Sequence, residues 1–174
     1  MTIEVFLQFP NPADGILPKG ESLDKVFKDA IVVKELSFGM EHPTTIGSTT
    51  TGAGAGKARF GEFSARKTVD RASPSLYQAC GMEVRFPEGI VSIRKAGTGA
   101  GDAYLTYAFS LVFCSKIEWS GAGGDEAPYE TVSFAFGAMK ISYQQQGASG
   151  QLTPPSTAAW NQVTNTSAYP VAGA

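Results

Sequence analysis

The chain has 174 residues and a formal net charge of −2, from 14 basic and 16 acidic side chains. This length suits one domain with its own core, and the near-neutral charge argues against nucleic acid or a membrane surface as a partner. Glycine is frequent and charged residues are only 17% of the chain, which favours a loop-rich β fold. The N-terminal MTIEVFLQF carries an acidic residue where a signal peptide has basic ones, so synthesis in the cytoplasm without a signal peptide is expected.

The first part of the chain has strand patterns. Apolar and polar residues alternate over 3–9, which predicts a half-buried strand ended by the Pro- and Gly-containing loop at 10–15. The apolar run 31–33 leads to LSFG at 36–39 and predicts one further strand.

Two segments, 43–56 and 148–174, contain no charged residue. The first is rich in Gly and Thr, and we predict an exposed, mobile extended loop over about 41–57. The second is predicted to be a tail that packs partly around Trp160 and is otherwise flexible, with disorder after Pro170. The predicted organisation is therefore a barrel domain at 1–147 followed by this tail.

One short helix is predicted between these segments, over about 73–80. Ser73 suits the N-cap, Pro74 suits the first helical position and Gly81 suits the position after the C-cap. The helix has one apolar stripe and is expected to lie against the barrel.

Three long strands follow in the pattern. A strand at 82–95 is predicted to be interrupted at Pro87–Gly89, and a bulge at Gly137 is predicted because the apolar phase changes within 132–143. A strand over 104–119 is predicted to place one set of apolar side chains on a single face: Leu105, Tyr107, Phe109, Leu111, Phe113, Ile117 and Trp119. The fold class is mainly β, a small antiparallel barrel or sandwich with one flanking helix.

No set of residues in the sequence assembles into an active site. TGAGAGKA at 51–58 misses the spacing of a phosphate-binding loop, and His42 is a single histidine beside a glycine-rich segment, a poor place for a catalytic base. The carboxylates of Asp125 and Glu126 are expected to be solvated. Two cysteines do not form a disulfide framework, and we expect both to be buried and reduced. The sequence therefore predicts neither an enzyme nor a metal or cofactor site.

Several motifs in order resemble the Hcp family, the haemolysin-coregulated tube proteins of the bacterial type VI secretion system. They are GESLDK (20–25), LSFGM (36–40), GAGAGKA (52–58), FSARKTVDRASPSLYQAC (63–80), IRKAG (93–97), YLTYAFSLVFCSKIEWSG (104–121), VSFAFGAMKISYQQQ (132–146) and AWNQVTN (159–165). The resemblance covers the chain from about residue 20 to 165. Its specificity comes from the motifs occurring in the same order as in the family.

The resemblance implies a small β-barrel that assembles into homohexameric rings. It implies that stacked rings form a tube, which a contractile sheath propels from a baseplate with a spike protein at the tip. It also implies that effector proteins travel in the ring lumen, and that the protein is secreted outside the cell or into target cells. The alternative is a monomeric β-barrel that binds a small ligand or is a hydrolase.

The resemblance also implies two contact regions. Ser37 corresponds to a small residue that faces the lumen and contacts cargo. The extended loop is expected to reach a neighbouring subunit or ring, and its candidate contact residues are His42, Thr44, Thr45, Ile46, Thr49, Thr50, Thr51, Gly52, Gly54 and Gly56.

Overall fold

The computed structural model describes residues 2–44, 56–96, 101–147 and 149–174. Within these residues the chain forms ten strands and one helix. They are β1 (Ile3–Gln8), β2 (Ile31–Val33), β3 (Glu35–Ser37), β4 (Met40–Glu41), β5 (Arg59–Phe60), β6 (Phe63–Thr68), α1 (Ser73–Gly81), β7 (Arg85–Lys95), β8 (Leu105–Ser120), β9 (Tyr129–Tyr143) and β10 (Ser156–Asn161).

Eight of the strands form one antiparallel sheet that is nearly closed into a barrel. The strand order is β2-β1-β7-β8-β9-β6-β3, and β10 adds to β9. The two end strands, β2 and β3, are separated in the chain only by Lys34, whose N–H donates to the carbonyl of Arg66 at 2.8 Å. One short segment therefore joins both ends of the sheet, and the predicted mainly β, barrel-like fold is confirmed.

This arrangement corrects the prediction of one strand over 31–39. The segment is two strands because β2 pairs with β1 while β3 pairs with β6 on the opposite end of the sheet. The sequence pattern could not show the break, since both halves are apolar and extended. Most of the predicted extended loop, residues 45–55, lies outside the described residues.

The barrel interior is filled by aromatic side chains. Phe63 stacks on Phe109 with ring centroids 4.9 Å apart and lies 5.5 Å from Phe134. Phe9 and Phe86 meet at 4.6 Å further along the axis. Because these rings occupy the centre, the interior of the described barrel is a packed core and not a ligand cavity.

Strand β8 does not keep one apolar face, as the sequence pattern predicted. Phe109, Val112 and Cys114 are all in the core, whereas Leu111 and Phe113 are only partly buried. Leu111 has φ of 59°, so the side-chain alternation changes phase at this residue. Strict alternation, which the prediction assumed, requires an unbroken extended backbone.

The predicted bulge at Gly137 is also wrong. Phe136 pairs with Val112 and Ala138 with Ser110, so no residue is inserted at Gly137, and the register shift between β8 and β9 lies between Cys114 and Lys116. Gly137 lies opposite Leu111, the residue of β8 with a positive φ. The expected interruption of β7 is likewise not found.

Pro87 lies within the continuous strand β7. The pairs on either side of it, Phe86 with Val112 and Glu88 with Ser110, keep the same register. Proline has no N–H to donate to the ladder, and the residue across from it is Leu111, where β8 itself is irregular. The two irregularities coincide, so the strand is not broken.

The helix has the predicted place but different ends. Its N-cap is Ala72 and Pro74 lies in the first turn, while Gly81 is the last helical residue. The Ser73 hydroxyl does not cap the helix, because it donates to the buried carboxylate of Glu130 at 2.7 Å. At the C-terminus the left-handed residue is Glu83, with φ of 52°.

We expect Glu83→Gly to stabilise the protein by about 1 kcal/mol, because glycine adopts a positive φ without steric strain. Val84 donates its N–H to the Ala79 carbonyl at 3.0 Å across this turn, so the turn itself is retained. Equilibrium denaturation in urea measures the change. Glu83→Ala is the matched control, because it removes the same charge but keeps the β-carbon; equal effects of the two variants would contradict the explanation.

The C-terminal segment contacts the barrel at several points. β10 pairs with the 138–143 half of β9, beyond the part that pairs with β6. Val171 is buried and its N–H donates to the Ser110 hydroxyl at 3.0 Å. Tyr169, whose hydroxyl has its pKa raised by burial, donates to Glu88 at 2.6 Å. Trp160 is therefore one of several anchors. The domain boundary at 147 and the flexibility of the tail stay predictions.

Candidate assembly surfaces

Ser37 lies on the outside of the described chain, at the end of the edge strand β3. It is exposed and borders a shallow groove of about 230 Å³ whose lining is Glu35, Leu36, Ser37, Ser64, Arg66 and Thr131. Arg66 is paired with Glu35 at 2.7 Å and lies over the ring of Tyr129 at 4.5 Å. This polar surface is held in place by paired charges.

The base of the predicted loop is a small two-stranded ladder. β4 pairs with β5, and the N–H of Gly56 donates to the carbonyl of Pro43 at 3.0 Å. A β-carbon at Gly56 would lie 3.1 Å from that carbonyl oxygen, so the close approach favours glycine. His42, Thr44 and Gly56 are exposed at this base.

The other loop candidates lie outside the described residues: Thr45, Ile46, Thr49, Thr50, Thr51, Gly52 and Gly54. The structure places Ser37 only three positions before β4. The lumen candidate and the base of the loop are thus neighbours in the chain, and their roles stay predictions.

Motifs that are far apart in the sequence meet in the fold. The carboxylate of Asp24, in GESLDK, accepts hydrogen bonds from the Arg94 guanidinium of IRKAG and, at 3.0 Å, from the N–H of Phe27. Arg94 is also paired with Glu4 at 2.7 Å and lies 5.2 Å from the Phe6 ring centre. This contact fixes the 20–30 segment against β1 and β7.

The bond to Arg94 lowers the pKa of Asp24 to about 2 from its usual 3.8. A folded-state pKa below the unfolded value stabilises the protein above the unfolded pKa, and this contribution is lost as the pH falls through the folded pKa. We therefore expect Asp24→Asn to be less stable than the parent at neutral pH. The difference should shrink between about pH 4 and pH 2. Thermal melting across this range measures it, and a constant difference would contradict the prediction.

A buried ionic cluster connects the start of α1 to the long antiparallel hairpin formed by β8 and β9. The ammonium of Lys67 lies 2.6 Å from Glu130 and 2.7 Å from Asp70, and the Lys67 and Glu130 side chains are 1% and 0% exposed. The other oxygen of Glu130 accepts a hydrogen bond from the indole N–H of Trp119 at 3.0 Å. The buried carboxylate therefore orients a side chain that is itself largely exposed.

Next to this cluster is an exposed apolar groove of about 540 Å³ between α1 and β8. Its lining is Tyr77, Gln78, Cys80, Gly81, Met82, Ile117 and Trp119. Tyr77 and Trp119 are 64% and 55% exposed, with ring centroids 6.0 Å apart. Exposed aromatic clusters of this kind are common at protein contact surfaces.

The sequence pattern did not predict this groove. The alternation of apolar residues placed Trp119 on the core face of β8, whereas its side chain is 55% exposed and lies next to Tyr77 of α1. One signal was available, since Tyr77 lies off the apolar stripe of α1 and is thereby expected to be exposed.

These features define a small packed β-barrel whose candidate contact surfaces are all on its outside. Among the described residues, no group of three or more His, Cys, Asp or Glu side chains is placed to hold a metal ion. The helix in the described part of the chain is too short and polar to cross a membrane.

The chain belongs to the Hcp family of type VI secretion system effectors, whose family model matches residues 6–143. The Hcp1 protein of Pseudomonas aeruginosa is 32% identical over 94 residues, a match that covers 54% of this chain and 58% of that relative. The chain thus aligns with little more than half of that relative's length.

Solved structures extend the similarity to nearly the whole chain. A type six secretion system protein has a TM-score of 0.83 and 27% identity, covering 95% of this chain and 99% of that one. Hcp1 from Salmonella typhimurium has a TM-score of 0.73 and 29% identity, covering 95% and 98%. The family resemblance drawn from the ordered motifs is confirmed.

Proposed function

We propose that this protein is the structural tube component of a type VI secretion system, with six copies forming a ring and rings stacking into a tube. The observation that carries the proposal is the family match over residues 6–143. The barrel interior is packed with phenylalanine rings, which argues against the alternative of a monomeric barrel that binds a ligand inside. Function therefore resides on the outer surface.

Ring formation needs two different surfaces on each copy that close on themselves after a fixed number of subunits. The chain offers several distinct exposed features for this purpose: the groove beside Ser37, the base of the 41–57 loop and the exposed apolar groove between α1 and β8. We assign the loop to contacts with a neighbouring subunit or ring, because a long uncharged segment can be buried against a partner without desolvating charges.

We further propose that the ring carries effector proteins in its lumen and that Ser37 faces that lumen. Ser37 is exposed and is flanked by the paired charges of Arg66 and Glu35, so the surface is polar and suited to reversible contacts with folded cargo. The proposed partners are further copies of the chain, the sheath, the baseplate and spike proteins, and effectors. The protein is made in the bacterial cytoplasm and leaves through the secretion system, and its role is structural and not enzymatic.

Light scattering during gel filtration, followed by negative-stain imaging, tests the assembly. We expect a species of six chain masses that appears as rings, with short stacks at high protein concentration. A single-chain species without rings at near-physiological salt would contradict the proposal. A reconstruction of the ring also tests Ser37, because finding it outside the lumen would remove the cargo assignment.

Shortening the loop tests its role in assembly. Residues 45–55 can be replaced by a two-residue Asn-Gly turn, because the Gly56–Pro43 hydrogen bond already holds the two ends together. We expect the barrel of the variant to unfold at the same urea midpoint as the parent. The association constant for ring formation or ring stacking should fall tenfold or more, and tenfold corresponds to about 1.4 kcal/mol. Shortening the glycine-containing loop at 121–126 is the control. Wild-type assembly of the 45–55 variant would remove the assigned role.

A further inference from the structure

One edge of β9 has a gap between the two strands that pair with it there. β6 pairs with β9 as far as Phe134, and β10 pairs with β9 from Ala138 onward. Within the described residues, 135–137 therefore have no strand partner on this edge, although β8 pairs with β9 on the other edge. Backbone groups on an unpaired stretch of strand need another source of hydrogen bonds.

Gln162, the residue after β10, fills this gap with its backbone and its side chain. Its N–H donates to the Gly137 carbonyl at 3.0 Å, and its Nε2 donates to the Phe136 carbonyl at 2.8 Å. Its Oε1 accepts a hydrogen bond from the N–H of Phe60 at 3.1 Å. A primary amide offers a donor and an acceptor, as a peptide group does, so this side chain takes the place of a missing strand residue.

The turn after β10 holds Gln162 at this position. The buried side chain of Asn161 accepts hydrogen bonds from the N–H groups of Val163 and Thr164 at 3.0 and 3.1 Å. The N–H of Asn161 also donates to the carbonyl of Thr166 at 2.8 Å. Because these bonds fix the backbone on both sides of Gln162, the side chain loses less conformational freedom when it binds its two partners.

Phe60 belongs to the β4–β5 ladder at the base of the 41–57 loop, and this ladder is separate from the barrel sheet. Two contacts tie Phe60 to β9. Its ring packs on the ring of Phe136 with centroids 4.8 Å apart, and its N–H is joined to the Phe136 carbonyl through the amide of Gln162. Apolar packing has little directionality, whereas hydrogen bonds restrict both distance and angle. The amide is therefore the contact that orients the ladder.

We propose that Gln162 is a positioning residue that couples β10 and the residues after it to the base of the 41–57 loop, and that its amide sets the orientation of the β4–β5 ladder relative to the barrel. The coupling rests on the contacts described above. Its effect on assembly rests on the proposed function, in which the loop contacts a neighbouring subunit or ring. The proposal gives a role to AWNQVTN at 159–165, the last of the ordered motifs.

Gln162→Met tests the coupling, because methionine has a similar length but no N–H donor and only a weakly accepting sulfur. Without the amide, the partly buried Phe60 N–H and Phe136 carbonyl lack partners unless water reaches them, so the ladder should open locally. We expect amide hydrogen exchange in peptides spanning 57–62 to become tenfold or more faster, while exchange in β7 and β8 stays as in the parent. Gln162→Asn should act in the same direction, since its shorter amide cannot reach both partners, and it replaces the methionine variant if that chain does not fold.

Two comparisons separate the coupling from other effects. Gln144→Met is the matched control, because it removes an exposed side-chain hydrogen bond to the Thr153 carbonyl at 3.1 Å and should leave exchange at 57–62 unchanged. The measurement is also repeated in the chain whose 45–55 segment is replaced by Asn-Gly, where loop contacts between copies are absent. Unchanged exchange at 57–62 in Gln162→Met would overturn the coupling. Faster exchange in the full chain alone would also overturn it, because the change would then come from lost contacts between copies.

Light scattering of the full-length variants measures the effect on assembly. We expect Gln162→Met to lower the association constant for ring formation or ring stacking tenfold or more, and Gln144→Met to assemble as the parent does. Faster exchange at 57–62 with parent-like assembly would overturn the link between the ladder and assembly. A parent chain that forms no rings would contradict the proposed function and not the coupling, which the exchange experiment measures by itself.

Discussion

Replacing Lys67 with methionine is expected to lower the free energy of unfolding by about 3–5 kcal/mol. The substitution removes the ammonium that lies 2.6 Å from Glu130 and 2.7 Å from Asp70. Glu130 would keep its hydrogen bonds from Ser73 and Trp119 but would remain a buried carboxylate without a cation. The penalty comes from this uncompensated charge and not from lost packing, because methionine has a similar length.

Glu130→Gln should be less harmful than Lys67→Met, at about 1–3 kcal/mol. In that variant Lys67 keeps the carboxylate of Asp70, so the cation stays paired. The two losses should not add in the double variant, since both act on one cluster.

Urea denaturation measures these differences as shifts of the unfolding midpoint. The slope of the unfolding free energy against urea concentration should stay unchanged. Lys116→Met is the matched control, because it makes the same chemical change in an ion pair with Glu118 whose side chains are 57% and 61% exposed. Exposed pairs contribute about 1 kcal/mol or less. Equal losses for Lys67→Met and Lys116→Met would show that burial of the cluster does not determine its effect.

Gly20→Ala is the second change with a large expected effect, about 2–3 kcal/mol of lost stability. A β-carbon at Gly20 would lie 2.3 Å from the carbonyl oxygen of Ala30 and 2.5 Å from the Cα of Ile31. Both atoms belong to buried backbone, so no side-chain rotation can relieve the clash. In the variant, either the 20–22 segment must move away from 29–31, or the start of β2 must shift within the sheet.

Gly39→Ala is the control for this prediction, since a β-carbon there would meet no atom within 4 Å. Thermal melting of the two variants gives the comparison, and we expect Gly39→Ala to differ little from the parent. The N–H of Gly20 donates to the backbone carbonyl of Asp29 at 2.8 Å, and the Gly20 carbonyl accepts a hydrogen bond from the Arg71 guanidinium at 2.8 Å. Similar melting temperatures for both alanine variants would show that the 20–31 contact can relax freely.

Lys67 and Gly20, the residues at the centre of these two predictions, lie in the ordered motifs that resemble the family. Gly20 and Asp24 of GESLDK contact Arg71 and Arg94 of two later motifs, and the Lys67 cluster joins the helix motif to the final hairpin. Several of these motifs therefore include residues that contact one another in the folded barrel.

The sequence by itself determined the fold class, the helix and the family. Period-two apolar patterns over 3–9 and 104–119 indicate strands wherever one face is buried, and Pro74 with the apolar stripe after it indicates the helix. These signals are local, because each depends on residues within a few positions of one another, and the family motifs add the order in which they occur.

Only the tertiary structure decided which residues of those strands face the core and which face outward. The positive φ at Leu111 and the register shift after Cys114 both disturb the alternation of β8, and Trp119 is 55% exposed in a surface groove beside α1. The split at Lys34 and the Lys67–Glu130 cluster also depend on pairings between residues that are distant in sequence. Such features depend on how the sheet closes on itself, and no local pattern of residue types encodes that geometry.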